Sequence, residues 1–194
     1  MASVIIYRKA VYPMKYHQTI TLKNGIECCL RNGEEKDGPG ALAVFNLTHG
    51  ETDYLLTYPE ESTFDAEQEA QFLKEKTESD REIEIVAEIN GTIVGTGGIH
   101  GVGTAYKLRH RAEFGIGIAR EYWGLGIGKA LTDACIACAR EAGYTQLELD
   151  VVAENEAALA LYRKVGFQEY GRNPNGFRSR LKGDQELIYM RLEL

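Results

Sequence analysis

The chain has 194 residues, of which 44% are apolar and 26% are charged, and its formal net charge is −7. This length predicts a single domain over residues 1–194 with a sizeable core. The acidic balance argues against a nucleic-acid partner, because no basic surplus can neutralise phosphates. No apolar run approaches the roughly 18 residues of a membrane span, and the apolar stretch at 4–6 is too short for a signal-peptide core. We therefore expect a cytoplasmic protein with no membrane partner.

The first part of the chain predicts a hairpin and two helices but carries no recognisable chemistry. The dipeptide Asn24-Gly25 lies inside two strand-like runs over 19–31 and is a strong hairpin signal. A polar, glycine-containing loop is expected over 33–40. Helices are expected over 41–52 and 65–78.

Two of the four cysteines have the spacing of a redox or metal pair. Cys135 and Cys138 form a C-x-x-C, but both lie on an apolar stripe with helical spacing. We interpret them as core thiols, because cysteine packs as a small hydrophobe. No second such pair and no histidine pair completes a zinc site, so we predict no metal.

From Glu82 onward the alternation of apolar and polar residues predicts a sheet. An antiparallel meander of three strands is expected over 82–118, with the third strand running from 106 to 118. The later elements are a helix over 126–142, a strand over 147–151, a helix over 155–165, and strands over 167–170 and 186–191 around a loop over 171–183. The strand-helix-strand order from 106 to 151 implies a right-handed crossover that places two strands side by side. The fold class is therefore α/β, a mixed sheet with helices on its faces.

Residues 120–128 join the third meander strand to the following helix and read Arg-Glu-Tyr-Trp-Gly-Leu-Gly-Ile-Gly. Alternating glycines let the backbone turn sharply, so the N–H groups at the helix start face outward. Together with the helix dipole they predict a phosphate or pyrophosphate site. A P-loop is not matched, because Ala130 replaces the metal-binding hydroxyl and Trp123 replaces the first glycine. The dinucleotide fingerprint also fails, since the glycine spacing is G-x-G-x-G.

A second motif over 155–167 reads Asn-Glu-Ala-Ala-Leu-Ala-Leu-Tyr-Arg-Lys-Val-Gly-Phe. With the glycine loop it resembles the GNAT superfamily of acetyl-CoA-dependent N-acetyltransferases, in a branch similar to the ribosomal-protein N-terminal acetyltransferases. The family's signature Asn-x-x-Ala-x-x-Leu/Phe-Tyr-x-Lys/Arg-x-Gly-Phe is filled at every position. Trp123 departs from the Gln or Arg of the loop signature. The resemblance covers roughly 82–170 and implies the GNAT fold, a mixed and mostly antiparallel sheet with helices on both faces.

The resemblance implies how acetyl-CoA, the acetyl donor, would be held in the core over 82–170. Its pyrophosphate would rest on the backbone amides of Leu125, Gly126, Ile127 and Gly128. Its pantetheine arm would lie where the preceding strand splays from the next one, bonded to Ile116 and Ile118 like an added strand. The amide near Ile118 would polarise the thioester carbonyl. Three residues of the second motif complete the expected cofactor-binding set, Asn155, Ala158 and Tyr162.

The resemblance also suggests the groups that move protons. Tyr162 is the position expected to protonate the departing thiolate, although its ring lies on the apolar stripe of the helix and also reads as core. A base or a water chain must remove a proton from the attacking amine. Glu113 is the candidate base, because a carboxylate in a partly dry cleft has a raised pKa. The alternatives are a solvated strand glutamate at that position and Asp150 as the second candidate base.

The predicted function is transfer of an acetyl group from acetyl-CoA to a primary amine by direct attack in a ternary complex. The alternative is a GNAT-fold module that senses acyl-CoA without catalysis. The acceptor stays open between small-molecule amines and protein N-termini, since specificity in such folds lies in segments that here span 41–78 and 171–183. A homodimer that pairs edge strands is a further expectation.

Overall fold

The computed structural model describes residues 12–194. In this part of the chain, eight strands form one sheet, and four helices pack against it. The strands are β1 His17–Thr21, β2 Glu27–Asn32, β3 Ile83–Ile89, β4 Thr92–Gly101, β5 Arg111–Ile118, β6 Gln146–Val152, β7 Gln168–Ser179 and β8 Gly183–Glu193. The helices are α1 Gly38–Glu51, α2 Ala66–Glu78, α3 Ile127–Glu141 and α4 Glu156–Lys164.

The sheet is mixed and mostly antiparallel, with strand order β1-β2-β3-β4-β5-β6-β8-β7. The first five strands pair antiparallel in sequence order, which confirms the predicted hairpin and meander. β5 and β6 are parallel neighbours joined through α3, as the predicted crossover requires. β6, β8 and β7 complete the sheet in antiparallel order.

Helices cover both faces of the sheet. On β3, Ile83 and Ile85 are fully buried in the main core together with Leu131 of α3. Side chains of the alternate β3 residues point to the opposite face, where Val86 and Leu73 of α2 both approach the Cβ position of Gly33. The predicted two-faced arrangement is therefore confirmed, with α3 and α4 on one side and α1 and α2 on the other.

Two predicted boundaries were wrong. Residues 106–110 do not extend β5, because the segment turns on hydrogen bonds from the Leu108 and Arg109 N–H groups to the Ala105 carbonyl. The predicted loop over 171–183 is instead most of β7 and its turn into β8. The turn-forming Asn-Pro-Asn-Gly at 173–176 is accommodated where the register with β8 slips between Asn173 and Phe177, so it interrupts the ladder without ending the strand.

The cysteine prediction is confirmed. Cys28, Cys135 and Cys138 are buried free thiols, and burial raises the pKa of Cys138 to about 12. The structure shows no cluster of possible metal ligands among residues 12–194. No helix in the same range is long and apolar enough to cross a membrane.

Candidate active site

The candidate site lies where β5 and β6 separate. These strands pair at only three positions, the last of which joins Glu113 to Glu148. Beyond that pair, β5 continues to Ile118 and β6 continues to Val152 without pairing to each other. The strands therefore leave a wedge-shaped gap in the middle of the sheet.

Backbone groups of β5 point into this gap. The Ala119 N–H donates to the Val94 carbonyl of β4 at 2.9 Å. Because successive residues of a strand direct their backbone groups to opposite sides, Ile116 and Ile118 direct theirs away from β4 and into the gap. The Ile118 carbonyl accepts a hydrogen bond from Trp123 Nε1 at 2.6 Å. The Ile118 N–H and both Ile116 groups thus face the space where an extended ligand would lie.

The glycine loop adopts backbone conformations that favour glycine. Gly124 and Gly126 have φ values of +76° and +108°, in the left-handed region that other residues rarely adopt. Gly126 is the N-cap of α3. Within residues 12–194, the N–H groups of 125–128 donate to no backbone carbonyl. The helix start therefore presents a row of donors suited to an anion.

The remaining loop residues of the predicted set contribute in different ways. Ile127 is only 1% exposed, so only its backbone can reach a ligand. The Leu125 side chain packs against the core, and its carbonyl accepts a hydrogen bond from the Lys23 N–H at 3.2 Å. A Cβ at Gly128 would lie 3.4 Å from Ile118 Cδ1, so a larger side chain there would fill the space between the loop and the gap.

A cleft of about 410 Å³ connects the glycine loop with the gap. Seven of the predicted positions line it, namely Ile116, Ile118, Gly126, Gly128, Asn155, Ala158 and Tyr162. Lys23 and Lys129 lie at the same cleft, and Lys129 also pairs with Asp133 at 2.5 Å. The donors and the two cations together favour an anionic ligand at this end.

Tyr162 combines a core ring with a hydroxyl at the cleft. Its ring packs edge-on against Phe114 with 6.0 Å between centroids, and the residue is 7% exposed. Among the described residues, the Tyr162 hydroxyl is not one of the fully buried polar atoms that lack a hydrogen-bond partner. Tyr162 also lines the cleft. Burial raises its pKa to about 12, so the hydroxyl is protonated at neutral pH and able to donate.

Asn155 positions the start of α4. Its Oδ1 accepts a hydrogen bond from the Ala158 N–H at 3.2 Å, so it caps the helix. Asn155 also lines the cleft, together with Ala158. The residue thus fixes the helix that carries Tyr162 and can also donate to a ligand.

Glu113 lies outside the cleft, at the closed end of the gap. Its carboxylate Oε2 is 3.0 Å from His100 Nε2, and both side chains are 53% exposed. The expectation of a partly dry environment for Glu113 was therefore wrong. Its neighbour on β6, Glu148, is buried and paired with Arg111.

Asp150 lies two residues beyond the last β5–β6 pair, on the same face of β6 as Glu148. The residue is thus beside the open part of the gap, but it lines neither the cleft nor the cavity on the α1–α2 side of the sheet. Burial, and then the negative charges of Glu113 and Glu148, raise the pKa of Asp150. Of the two candidate bases, Asp150 has the raised pKa that the sequence analysis expected of Glu113, but it is exposed and does not have the partly dry surroundings.

A second cavity of about 570 Å³ lies on the α1–α2 side of the sheet. It shares four lining residues with the cleft, Thr48, Leu55, Ile116 and Gly117. The two spaces therefore meet over the β5 strand. A donor in the cleft and an acceptor in this acceptor-side cavity would come together at Ile116 and Gly117.

The segment between α1 and α2 is held by the β7–β8 hairpin. The Ser179 hydroxyl donates to Asp53, and the Arg180 N–H donates to the Tyr58 hydroxyl at 2.9 Å. The Arg180 guanidinium lies over the Tyr58 ring, 4.1 Å from its centroid, and pairs with Glu60. The two segments in which we expected acceptor specificity therefore contact each other.

Free backbone donors at a helix start, beside a sheet with a gap wide enough for an extended ligand, are the arrangement that the sequence analysis expected of an acetyltransferase. Residues 48–167 match the acetyltransferase (GNAT) family. This match covers more than half of the chain, so the chain belongs to the acetyltransferase (GNAT) family. The fold and the family predicted from the two motifs are both confirmed.

Individual relatives resemble parts or all of the fold. The N-alpha-acetyltransferase RimI of Mycobacterium tuberculosis is 41% identical over 85 residues, which are 44% of this chain and 51% of that protein. The ribosomal-protein-alanine N-acetyltransferase of Brucella melitensis superposes with a TM-score of 0.75 at 28% identity, over 85% of this chain and 99% of that one. A Salmonella typhimurium acetyltransferase structure, solved with its cofactor acetyl-CoA, gives a TM-score of 0.75 at 19% identity, over 86% and 94% of the two chains. The chain thus spans about half of the RimI length.

Sequence reasoning missed three residues at the site. His100 contacts Glu113, Lys23 reaches the glycine loop from the β1–β2 turn, and Glu84 lines the acceptor-side cavity. All three come from elements far from the two motifs in sequence. Only the β4–β5 register, which pairs His100 with Glu113, could have suggested one of them.

Proposed function

We propose that the protein transfers an acetyl group from acetyl-CoA to a primary amine within a ternary complex. The observation that carries this proposal is the cleft, which joins a helix-start anion site to an unpaired strand edge and ends beside the Tyr162 hydroxyl. The residues present fit the donor: backbone N–H groups and lysines for the pyrophosphate, and a strand edge for the pantetheine amides. The family membership of the chain supports the same assignment.

In this reaction the amine nitrogen attacks the acetyl carbonyl carbon, and the carbon–sulfur bond breaks. The Ile118 N–H would hold the carbonyl oxygen as negative charge develops on it. The Tyr162 hydroxyl would give its proton to the departing thiolate, for which its raised pKa keeps it protonated. No covalent bond to the protein is needed, because both substrates meet over β5.

A carboxylate takes the proton that the amine must lose. Glu113 acts through His100, which lines the acceptor-side cavity. Asp150 is the second candidate, since it lies beside the open part of the gap and its pKa is raised. Replacing each by its amide separates them, because only loss of the true base should remove the acid limb of the rate profile.

The experiment is an amine screen. The purified chain is incubated with acetyl-CoA and a panel of small amines and peptides with free N-termini, and both free CoA thiol and acetylated product are measured. Thiol release that matches acetylated amine supports the transferase. Tight acetyl-CoA binding with no acetylated product from any amine would instead support the sensing module.

A further inference from the structure

The acceptor-side cavity combines an apolar wall with negative charge. Aromatic side chains of α1, α2 and the segment between them form its wall, Phe45, Phe64 and Phe72. Glu84, Glu69 and Glu61 supply carboxylates, and no lysine or arginine lines the cavity within residues 12–194. Such a space suits a ligand with an apolar body and a positive charge.

Glu84 is the deepest of these carboxylates. It lies on strand β3, in the interior of the sheet. A Cβ atom at Gly98 would lie 2.0 Å from the Glu84 Oε2 atom, which is too close for a side chain at that position. The space for this carboxylate therefore exists because residue 98 is glycine. Glu61, by contrast, already has partners. It accepts a hydrogen bond from the Tyr58 N–H at 2.8 Å and lies 3.3 Å from the Arg180 guanidinium.

The charges around Glu84 leave it without an ion-pair partner of its own among the described residues. The nearest cation, Lys76 of α2, is bound to Glu82. His49 of α1 is half-buried, and this burial lowers its pKa, so it is neutral at neutral pH. Burial, and then the negative charge of Glu69, raise the pKa of Glu84 to about 7, against the lowering effect of a hydrogen bond with Thr96 and of the Lys76 charge. Carboxylates kept in such surroundings are typical of functional sites.

The position of Glu84 relative to the cleft sets the size of the ligand. Glu84 pairs with Gly98, and Gly98 pairs with Gly115 of β5, so all three form one row across the sheet. The junction with the cleft lies two residues further along, at Gly117. Because the Glu84 carboxylate lies over Gly98 of β4, it is only one strand spacing away from β5. That spacing, combined with the length of two residues along β5, gives a distance of about 8 Å between the carboxylate and the reacting amine.

We propose that the acceptor-side cavity selects an amine that carries a second positive charge on a short apolar chain, and that Glu84, with Glu69, binds that distal charge. This inference rests on the proposed acetyl transfer and names its substrate class. The reacting amine would lie over Gly117 beside the cleft, while the chain packs between the glycine row of the sheet and the aromatic wall.

The test compares acceptors that differ only at the distal end. We would measure kcat/KM with n-butylamine, butane diamine and aminobutyrate, and with the corresponding hexyl compounds, at saturating acetyl-CoA. The diamine should exceed the monoamine by about 10- to 100-fold, since hydrogen bonds to charged groups contribute on that scale. The aminocarboxylate should be the poorest acceptor. Equal rates for all three at both chain lengths would overturn the inference.

Variants then assign the preference to residues. Glu84→Gln should lower the diamine-to-monoamine ratio about tenfold and leave the KM for acetyl-CoA unchanged. Glu67→Gln is the matched control, because Glu67 is exposed on α2 and does not line the cavity. A ratio unchanged in Glu84→Gln would contradict the assignment.

Gly115→Val tests the location independently of charge. A Cβ at Gly115 would meet no atom within 4 Å, so the valine should fold and fill the cavity. We expect it to weaken all amine acceptors while acetyl-CoA binding stays the same. Full activity toward the diamine in this variant would show that the acceptor binds elsewhere.

Equilibrium binding separates this inference from the proposed function. Titration calorimetry of butane diamine into the CoA-saturated protein needs no turnover. Binding that is lost in Glu84→Gln supports the cavity assignment even if no amine is acetylated, in which case only the transferase proposal fails. Acetylation of amines without any preference for a distal charge would overturn this inference and leave the transferase intact.

Discussion

Tyr162 serves the core with its ring and the cleft with its hydroxyl, so Tyr162→Phe removes one function and keeps the other. We expect kcat to fall by roughly 100-fold, the scale of general acid catalysis, while the dissociation constant of acetyl-CoA and the melting temperature stay unchanged. Stopped-flow kinetics measure kcat, and calorimetry of the same preparation measures the dissociation constant and the melting temperature. Tyr144→Phe is the matched control, because Tyr144 is equally buried but lies away from the cleft.

Glu84 should make stability depend on pH. Its pKa of about 7 in the folded protein lies above its ordinary value of 4.5, so the folded state binds the proton more tightly than the unfolded state. The resulting stability is complete below the unfolded pKa and is lost as the pH rises through about 7. Glu84→Gln should therefore be more stable than the parent protein at pH 8, by up to about 3 kcal/mol, and about equal at pH 4.5.

Urea unfolding of both proteins at the two pH values measures this difference. Other carboxylates contribute in the opposite direction, for example Asp37, whose pKa is lowered beside Arg31. Only the difference between parent and variant isolates Glu84. A difference that does not change with pH would show that this carboxyl group titrates normally.

At the residue scale, the sequence predicts those site residues that lie together in one contiguous motif. Tyr162 and Asn155 lie in one motif, and the structure places both at the cleft. Glu84 lies in the alternation of apolar and polar residues that predicts a strand, and this alternation alone does not distinguish a covered polar face from an open one. Helices α1 and α2 cover that face, and no residue near Glu84 in the sequence indicates that they do.

At the element scale, the glycine loop should depend on Gly126 for ligand binding and not only for folding. Gly126→Ala places a side chain at φ +108°, which costs about 1 kcal/mol of stability and turns the N–H row away from the ligand. We expect acetyl-CoA affinity to fall about tenfold or more. Gly143→Ala is the control, because Gly143 has φ +78° at the other end of α3.

Both glycine variants should lose similar stability, and only Gly126→Ala should lose affinity. Titration calorimetry and thermal unfolding measure the two quantities. Equal affinities in the two variants would mean that the loop does not bind the donor.

The β7–β8 hairpin should influence the acceptor and not the donor. Arg180→Ala removes the contacts with Tyr58 and Glu60 and frees the segment that covers the junction of the two cavities. We expect the KM for the amine to rise about two- to fivefold, the scale of exposed ion pairs. Arg178→Ala is the control, because Arg178 pairs with Asp184 within the same hairpin. If both variants raised the KM for the amine equally, the effect would come from general hairpin stability and not from the contacts of Arg180.

Element boundaries show where local signals end. The helices over 41–52, 65–78, 126–142 and 155–165 were all predicted to within a few residues of their bounds in the structure. β7 was not, because Asn173 to Gly176 have turn propensity that pairing with β8 overrides. Long-range strand pairing decides such cases.

At the scale of the whole molecule, the split between β5 and β6 gives the protein two connected spaces on opposite sides of one strand. The donor-side cleft is lined by lysines and helix-start amides, whereas the acceptor-side cavity is lined by carboxylates and aromatic rings. This separation of charge within an acidic chain suits an anionic donor and a cationic acceptor. The predicted cytoplasmic location, the single domain over 1–194 and the edge-strand homodimer stay predictions.

The central claim is that the cleft binds acetyl-CoA, and thermal unfolding with and without acetyl-CoA tests it most directly. NAD and ATP serve as controls, because each offers a pyrophosphate or triphosphate without a pantetheine arm. At about 100 times its dissociation constant, acetyl-CoA should add roughly 2.7 kcal/mol of stability and raise the melting temperature, while the controls leave it unchanged. A rise with ATP or NAD alone, or no rise with acetyl-CoA, would contradict the account.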